Sequence, residues 1–119
     1  MSMDQQDAIV PLIVDALDDL KAVQVHAIDV RTRTSLADTM IIASGTSTRH
    51  VKALADHVQE KLRACGHRPI GVEGERDAEW ILVDLGSAIV HIMLPATRTF
   101  YDLERLWGEP SARASQLPG

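Results

Sequence analysis

The chain has 119 residues, enough for one domain with its own hydrophobic core and no need of covalent staples. A single cysteine, Cys65, excludes an internal disulfide. Seventeen acidic against twelve basic residues, a formal net charge of -5, argue against non-specific nucleic-acid binding, which rests on neutralising phosphates with Lys and Arg. That balance suits a basic protein partner better, although mildly acidic chains are also common. No apolar run approaches the roughly 20 residues that span a bilayer, and MSMDQQD lacks the basic start of a secretion signal, so the expected location is cytoplasmic, away from membranes.

Met1 to Gln6 is polar and expected to fray. From Pro11 onward Leu12, Ile13, Ala16, Leu17 and Leu20 recur at helical spacing, with Asp15, Asp18 and Asp19 as a solvated side of the helix. Pro11 fits a first turn, so the helix begins near it or kinks there. Val23 to Arg31 alternates as a weak strand, and Asp38 to Ala43 reads as a more apolar one. Ser44 to Ser47 marks a change of period. Val51, Leu54, Ala55, Val58, Leu62 and Cys65 then follow helical spacing up to Gly66, a C-terminal cap, and Cys65 is read as core. A loop with a short strand around Ile70 to Glu73 follows. Near the end Thr97 is a candidate cap for a last short helix, on which Phe100, Leu103 and Leu106 share a face. From Gly108 the periodicity stops, and a loose tail over 108–119 is expected.

The strongest local signal is WILVDLGSAIVHIM, Trp80 to Met93. Two strand-forming runs flank Gly86-Ser87, a pair suited to a two-residue hairpin turn. That turn sets Leu85 opposite Ala88, Val83 opposite Val90 and Ile81 opposite Ile92, all on one apolar face. The other face carries Trp80, Leu82, Asp84, Ile89, His91 and Met93, a mixture that a core seldom holds together. A helix or a partner must cover it. The whole order predicts an α/β fold: one compact domain with a mixed sheet and flanking helices.

Chemistry-bearing patterns are few. Gly45-Thr46-Ser47-Thr48 precedes a helix, where free N–H groups can hold a phosphate, but the P-loop spacing is absent and ordinary capping explains the Ser and Thr. The five histidines, His26, His50, His57, His67 and His91, show no zinc spacing. No nucleophile–base pattern is legible from spacing, so catalysis, cofactor and metal have no positive sign. Aromatic residues are four in the chain, and three of them stand between Phe100 and Trp107. Phe100 is read as core. For Trp80 and Tyr101, flanked by Glu79, Asp102 and Glu104, core and interface stay open.

Three blocks of this chain resemble the ribosomal silencing factor family, also called Iojap-like. They are DTMIIASGTSTRHVKALADHVQEKL, EGERDAEWILVDLGSAIVHIM with its W-x-L-x-D and V-H-x patterns, and PATRTFYDLERLW. Thr39, Ser87 and Ala96 depart from the family pattern, which tends to an aromatic at the first and acids at the other two. The resemblance implies a compact domain over residues 1–107 with a nucleotidyltransferase-like topology but without those enzymes' catalytic carboxylates. It implies binding to the large ribosomal subunit through its protein fourteen, blocking of small-subunit joining, and lowered translation. Homodimers and, in organelles, a role in large-subunit assembly are also implied; no reaction and no cofactor is. Combined with the hairpin, it marks Trp80, Leu82, Asp84, His91, Met93, Tyr101, Asp102 and Glu104 as the expected partner-binding face, with Trp80 and Met93 as anchor and the acids at the rim.

Overall fold

The computed structural model describes residues 5–107. In chain order these form α1 (Gln5–Asp19), β1 (Val23–Asp29), β2 (Thr39–Ser44), α2 (Thr48–Ala64), β3 (Gly71–Glu73), β4 (Trp80–Asp84), β5 (Ala88–Met93), α3 (Pro95–Tyr101) and α4 (Leu103–Leu106). The tail expected over 108–119 lies outside the described residues. So does the start of the polar segment Met1 to Gln6, whose last two residues belong to α1. That helix does not begin at Pro11 but starts at Gln5 and runs through it.

The strands form one mixed sheet in the order β1-β2-β5-β4-β3. β2 and β5 are parallel neighbours at its centre, and the other three pairs are antiparallel. A parallel pair needs a long crossover, here α2 followed by β3 and β4. The hairpin register is the expected one: Ile81 faces Ile92, Val83 faces Val90, and Leu85 N–H donates to Ala88 O at 2.9 Å across the turn. Gly86 takes φ +87°, the left-handed backbone that this tight turn requires.

Strand alternation then sorts the sheet into two faces. Ile41, Ala43, Ile81, Val83, Val90 and Ile92 point to α1 and α2, which bring Ile13, Leu17, Leu54, Val58 and Leu62 against them. This is the larger core. At the start of α2 Ser47 accepts from His50 N–H at 3.1 Å, a side-chain cap. At its end Gly66 (φ +88°) lets Gly66 N–H reach Arg63 O and His67 N–H reach Leu62 O, a Schellman closure. On the opposite face Ile28, Val30, Met40, Ile42, Ile89 and Met93 make a smaller core. There Leu103 and the half-buried Trp80, Leu82 and Trp107 pack, and the cover is the short α3–α4 segment rather than a long helix.

Five local expectations need correction. Thr97 caps nothing: α3 begins at Pro95, whose fixed φ suits a first turn, with Leu94 before it. Phe100 is not core but 77 % exposed. Phe100, Leu103 and Leu106 share no face, because Asp102 adopts the left-handed conformation (φ 50°, ψ 54°) and breaks the helix between the first and the second. Only Leu103 turns inward. Cys65 is exposed, since it stands past the last turn of α2 where the stripe runs out beyond the sheet. β1 also stops at Asp29, and its register shifts between Val23 and His26, where Gln24 takes φ 50°.

Candidate functional site

The second sheet face carries the chemistry. In the β4–β5 register Leu82 lies opposite His91 and Trp80 opposite Met93. Trp80 Nε1–H donates to His91 Nδ1 at 3.0 Å. An indole N–H only donates, so Nδ1 carries the lone pair and the ring proton sits on Nε2, which meets Met40 Sδ at 3.1 Å. Burial holds this imidazole neutral, pushing its pKa down to about 4. His91 is thus a neutral spacer that fixes the Trp80 ring in the sheet face and offers no charge to a partner.

Outside this buried layer the rings continue. Trp80 packs on Tyr101 with centroids 4.8 Å apart, and Tyr101 meets Phe100 edge-on at 4.9 Å. Tyr101 is 52 % exposed, so the chain of rings runs from the half-buried Trp80 out to an open Phe100. Three aromatic rings in mutual contact that reach the surface make this face the candidate interaction site.

Arg98 holds this arrangement in place. Its Nε and Nη2 donate to both oxygens of Glu104 at 3.0 and 2.9 Å. Nη1 donates to Ser44 Oγ at 3.0 Å and Val23 O at 3.3 Å, and Nη2 also to Gln24 O at 2.7 Å. All five N–H groups of the fork are met, in a side chain that is almost wholly buried. Glu104 also pairs with His26. The Arg98 guanidinium holds the Glu104 carboxyl below the usual carboxylate range. One residue therefore ties α3 to α4 and both to the ends of β1 and β2.

These positions divide the expected partner-binding residues. Trp80, Leu82, Asp84, Tyr101 and Asp102 keep surface, although Asp84 Oδ1 already accepts from Gly86 N–H at 2.9 Å in the hairpin turn. Met93, His91 and Glu104 do not: Met93 has no exposure at all, and the other two lie beneath the rings or inside the Arg98 network. Their role is support. Arg98, Met40, Ser44 and Asp77 carried no role in the residue pattern, and Glu79, on the loop before β4, entered only as a flank of Trp80. Arg98 had one visible signal, an arginine within the third quoted block.

Elsewhere, two N–H groups of the Gly45 to Thr48 turn are already engaged within the chain. Gly45 N–H donates to Met93 O at 3.1 Å, and Thr46 N–H to His50 Nδ1 at 2.9 Å. Among the described residues no group of three His, Cys, Asp or Glu side chains is placed to hold a metal ion, and no helix is long and apolar enough to cross a membrane.

The family model of the ribosomal silencing factor during starvation matches residues 3–118. The chain belongs to the ribosomal silencing factor family. A ribosomal silencing factor of Chromobacterium violaceum is 48 % identical over 97 residues, 82 % of this chain and 80 % of that one. A crystal structure of a protein from the same organism superposes with a TM-score of 0.86 at 44 % identity, covering 98 % of this chain and 92 % of that chain. The family extends to a mouse protein named mitochondrial assembly of ribosomal large subunit protein 1. It is 35 % identical over 101 residues, 82 % of this chain but only 44 % of the longer mouse protein. This chain thus shares its fold, a compact α/β domain with a mixed five-strand sheet, with that crystal structure.

Proposed function

We propose that this protein is a cytoplasmic, non-enzymatic binding module that docks on the large ribosomal subunit through that subunit's protein fourteen. By occupying the docking surface it keeps the small subunit from joining and so represses translation. The observation that carries this reading is the row of contacting rings, Trp80, Tyr101 and Phe100, leading outward on a sheet face that no long helix among the described residues covers. Aromatic anchors beside a polar rim are the usual energetic centre of a protein interface. Trp80 and Tyr101 supply the anchor, Leu82 extends it, and Asp84 and Asp102 stand at the rim. Met93, His91 and Glu104 support it from below. On this reading the nucleotidyltransferase-like topology is a frame used without a reaction, and the binding unit, residues 1–107, also pairs as a homodimer.

The test is co-sedimentation of the purified protein with separated large and small subunits. Migration with the large subunit alone, together with reduced subunit joining, is the expected result. A second reading is favoured by the mouse relative, whose name places it in large-subunit assembly. Binding to the large subunit with no joining defect would select that one.

A further inference from the structure

Beside the exposed rings lies a groove of about 190 Å³ lined by Gly74, Asp77, Glu79, Trp80, Thr97 and Tyr101. Water takes about 30 Å³ per molecule in the liquid, so the groove has room for several waters or for the end of one long side chain. Its polar lining is one-sided. Asp77 and Glu79 are exposed, no Lys or Arg side chain lines the groove, and neither carboxylate has an ion pair or hydrogen bond among the described residues. Nearby Glu75 shows the contrast, being 3.9 Å from Lys52 on the other side of the loop.

The loop that presents the acids is tightly held. Gly74 has φ +89°, and a Cβ there would sit 2.0 Å from Trp80 O. Ala78 N–H donates to Gly74 O at 3.0 Å, and the buried Ala78 itself takes φ 57°. Leu94 N–H donates to Glu79 O at 3.0 Å, fastening the loop to the start of α3. The backbone that carries both acids is therefore set beside the rings before any partner arrives, which lowers the ordering cost of binding.

We infer that this groove is a socket for one arginine side chain of the protein partner, its guanidinium lying against Trp80 and Tyr101 and paired with Asp77 and Glu79. The inference rests on the docking role proposed above and adds the chemistry that the partner must present. Two unpaired carboxylates beside aromatic faces are complementary to a cation. A planar guanidinium satisfies both features, stacking on a ring while its fork meets carboxylate oxygens. A lysine offers only a point charge to the same groove, and an acidic or wholly apolar side chain would leave both carboxylates unanswered.

The experiment measures the affinity of the intact protein for purified large subunits at several salt concentrations, with the Asp77→Asn/Glu79→Gln double variant alongside. Both acids are exposed, so the melting temperature should not fall. The expected result is binding weakened by about tenfold at low salt, a charge-pair effect that shrinks as salt rises. Equal affinity and equal salt dependence in a folded double variant would overturn the socket while leaving the docking role intact, because the wild-type protein still binds. Failure of the wild-type protein to bind would overturn the docking role and the socket with it.

Discussion

At the scale of single residues, His91 and Gly74 do most to shape the candidate face, and each leads to a measurable expectation. The unfolded chain takes up a proton at His91 near the ordinary pH of 6.5, whereas the folded ring resists it down to about 4. The unfolded state thus binds more protons across this window. The stabilising effect of the neutral ring is complete above about 6.5 and is lost as the pH falls toward 4, by roughly 3 kcal/mol at most. His91→Gln cannot titrate there, so its melting temperature should depend less on pH over the same range than that of the wild type. Equal slopes in the two proteins would place the proton uptake elsewhere. Gly74→Ala meets two obstacles together, a left-handed backbone and a carbonyl 2.0 Å from the new Cβ. We expect a loss of about 2 kcal/mol or more in urea denaturation, above the usual cost of adding a Cβ at positive φ.

At the scale of elements, α3 and α4 are too short to hold their own geometry. A helix of seven residues and one of four are marginal by themselves. Their placement comes from Arg98, whose acceptors are Glu104 six residues ahead, Ser44 54 residues away and Val23 75 away. Arg98→Ala removes that fork and leaves the buried acid Glu104 with His26 as its remaining charged partner. Breaking a buried pair in this way typically costs about 3–5 kcal/mol. Chemical denaturation should show a loss of that size, and a change below about 1 kcal/mol would mean that the short helices are held by Leu103 and Trp107 instead. The hairpin behaves differently. Its pairing is local, and alternation about Gly86-Ser87 is enough to predict every partner from Ile81–Ile92 to Leu85–Ala88.

At the scale of the molecule, the two faces of one sheet have unequal cover. The first is closed by two long helices, and the second is closed only in part by a short segment that turns Phe100 and Tyr101 outward. Binding energy should therefore concentrate at the rings. Trp80→Ala is expected to cost at least about 2 kcal/mol of affinity for the large subunit, a usual hot-spot value, and Tyr101→Ala a comparable amount. Trp80 also donates to His91, so circular dichroism must first show that the variant is folded. Tyr101 is largely exposed and provides the cleaner comparison. Unchanged affinity in both folded variants would remove the aromatic anchor.

The α/β class with a mixed sheet, the second helix, the hairpin register and the mixed character of the second face were legible from residue order alone. Each depends on periodicity or on a turn of two residues, and such signals act over a few neighbours. What lay beyond that reach was decided by packing. Asp102 breaks the last helix and turns Phe100 out; Cys65 falls past the end of its stripe; Met93, His91 and Glu104 go under the surface rather than onto it. Arg98 finds its acceptors on β1, β2 and α4. Asp77 and Glu79 share a groove with Trp80 and Tyr101 only because α3 brings Tyr101 back onto the start of β4. Alternation says which face of a strand a side chain takes. Whether that face meets solvent depends on which distant segment covers it, and only the assembled chain settles that.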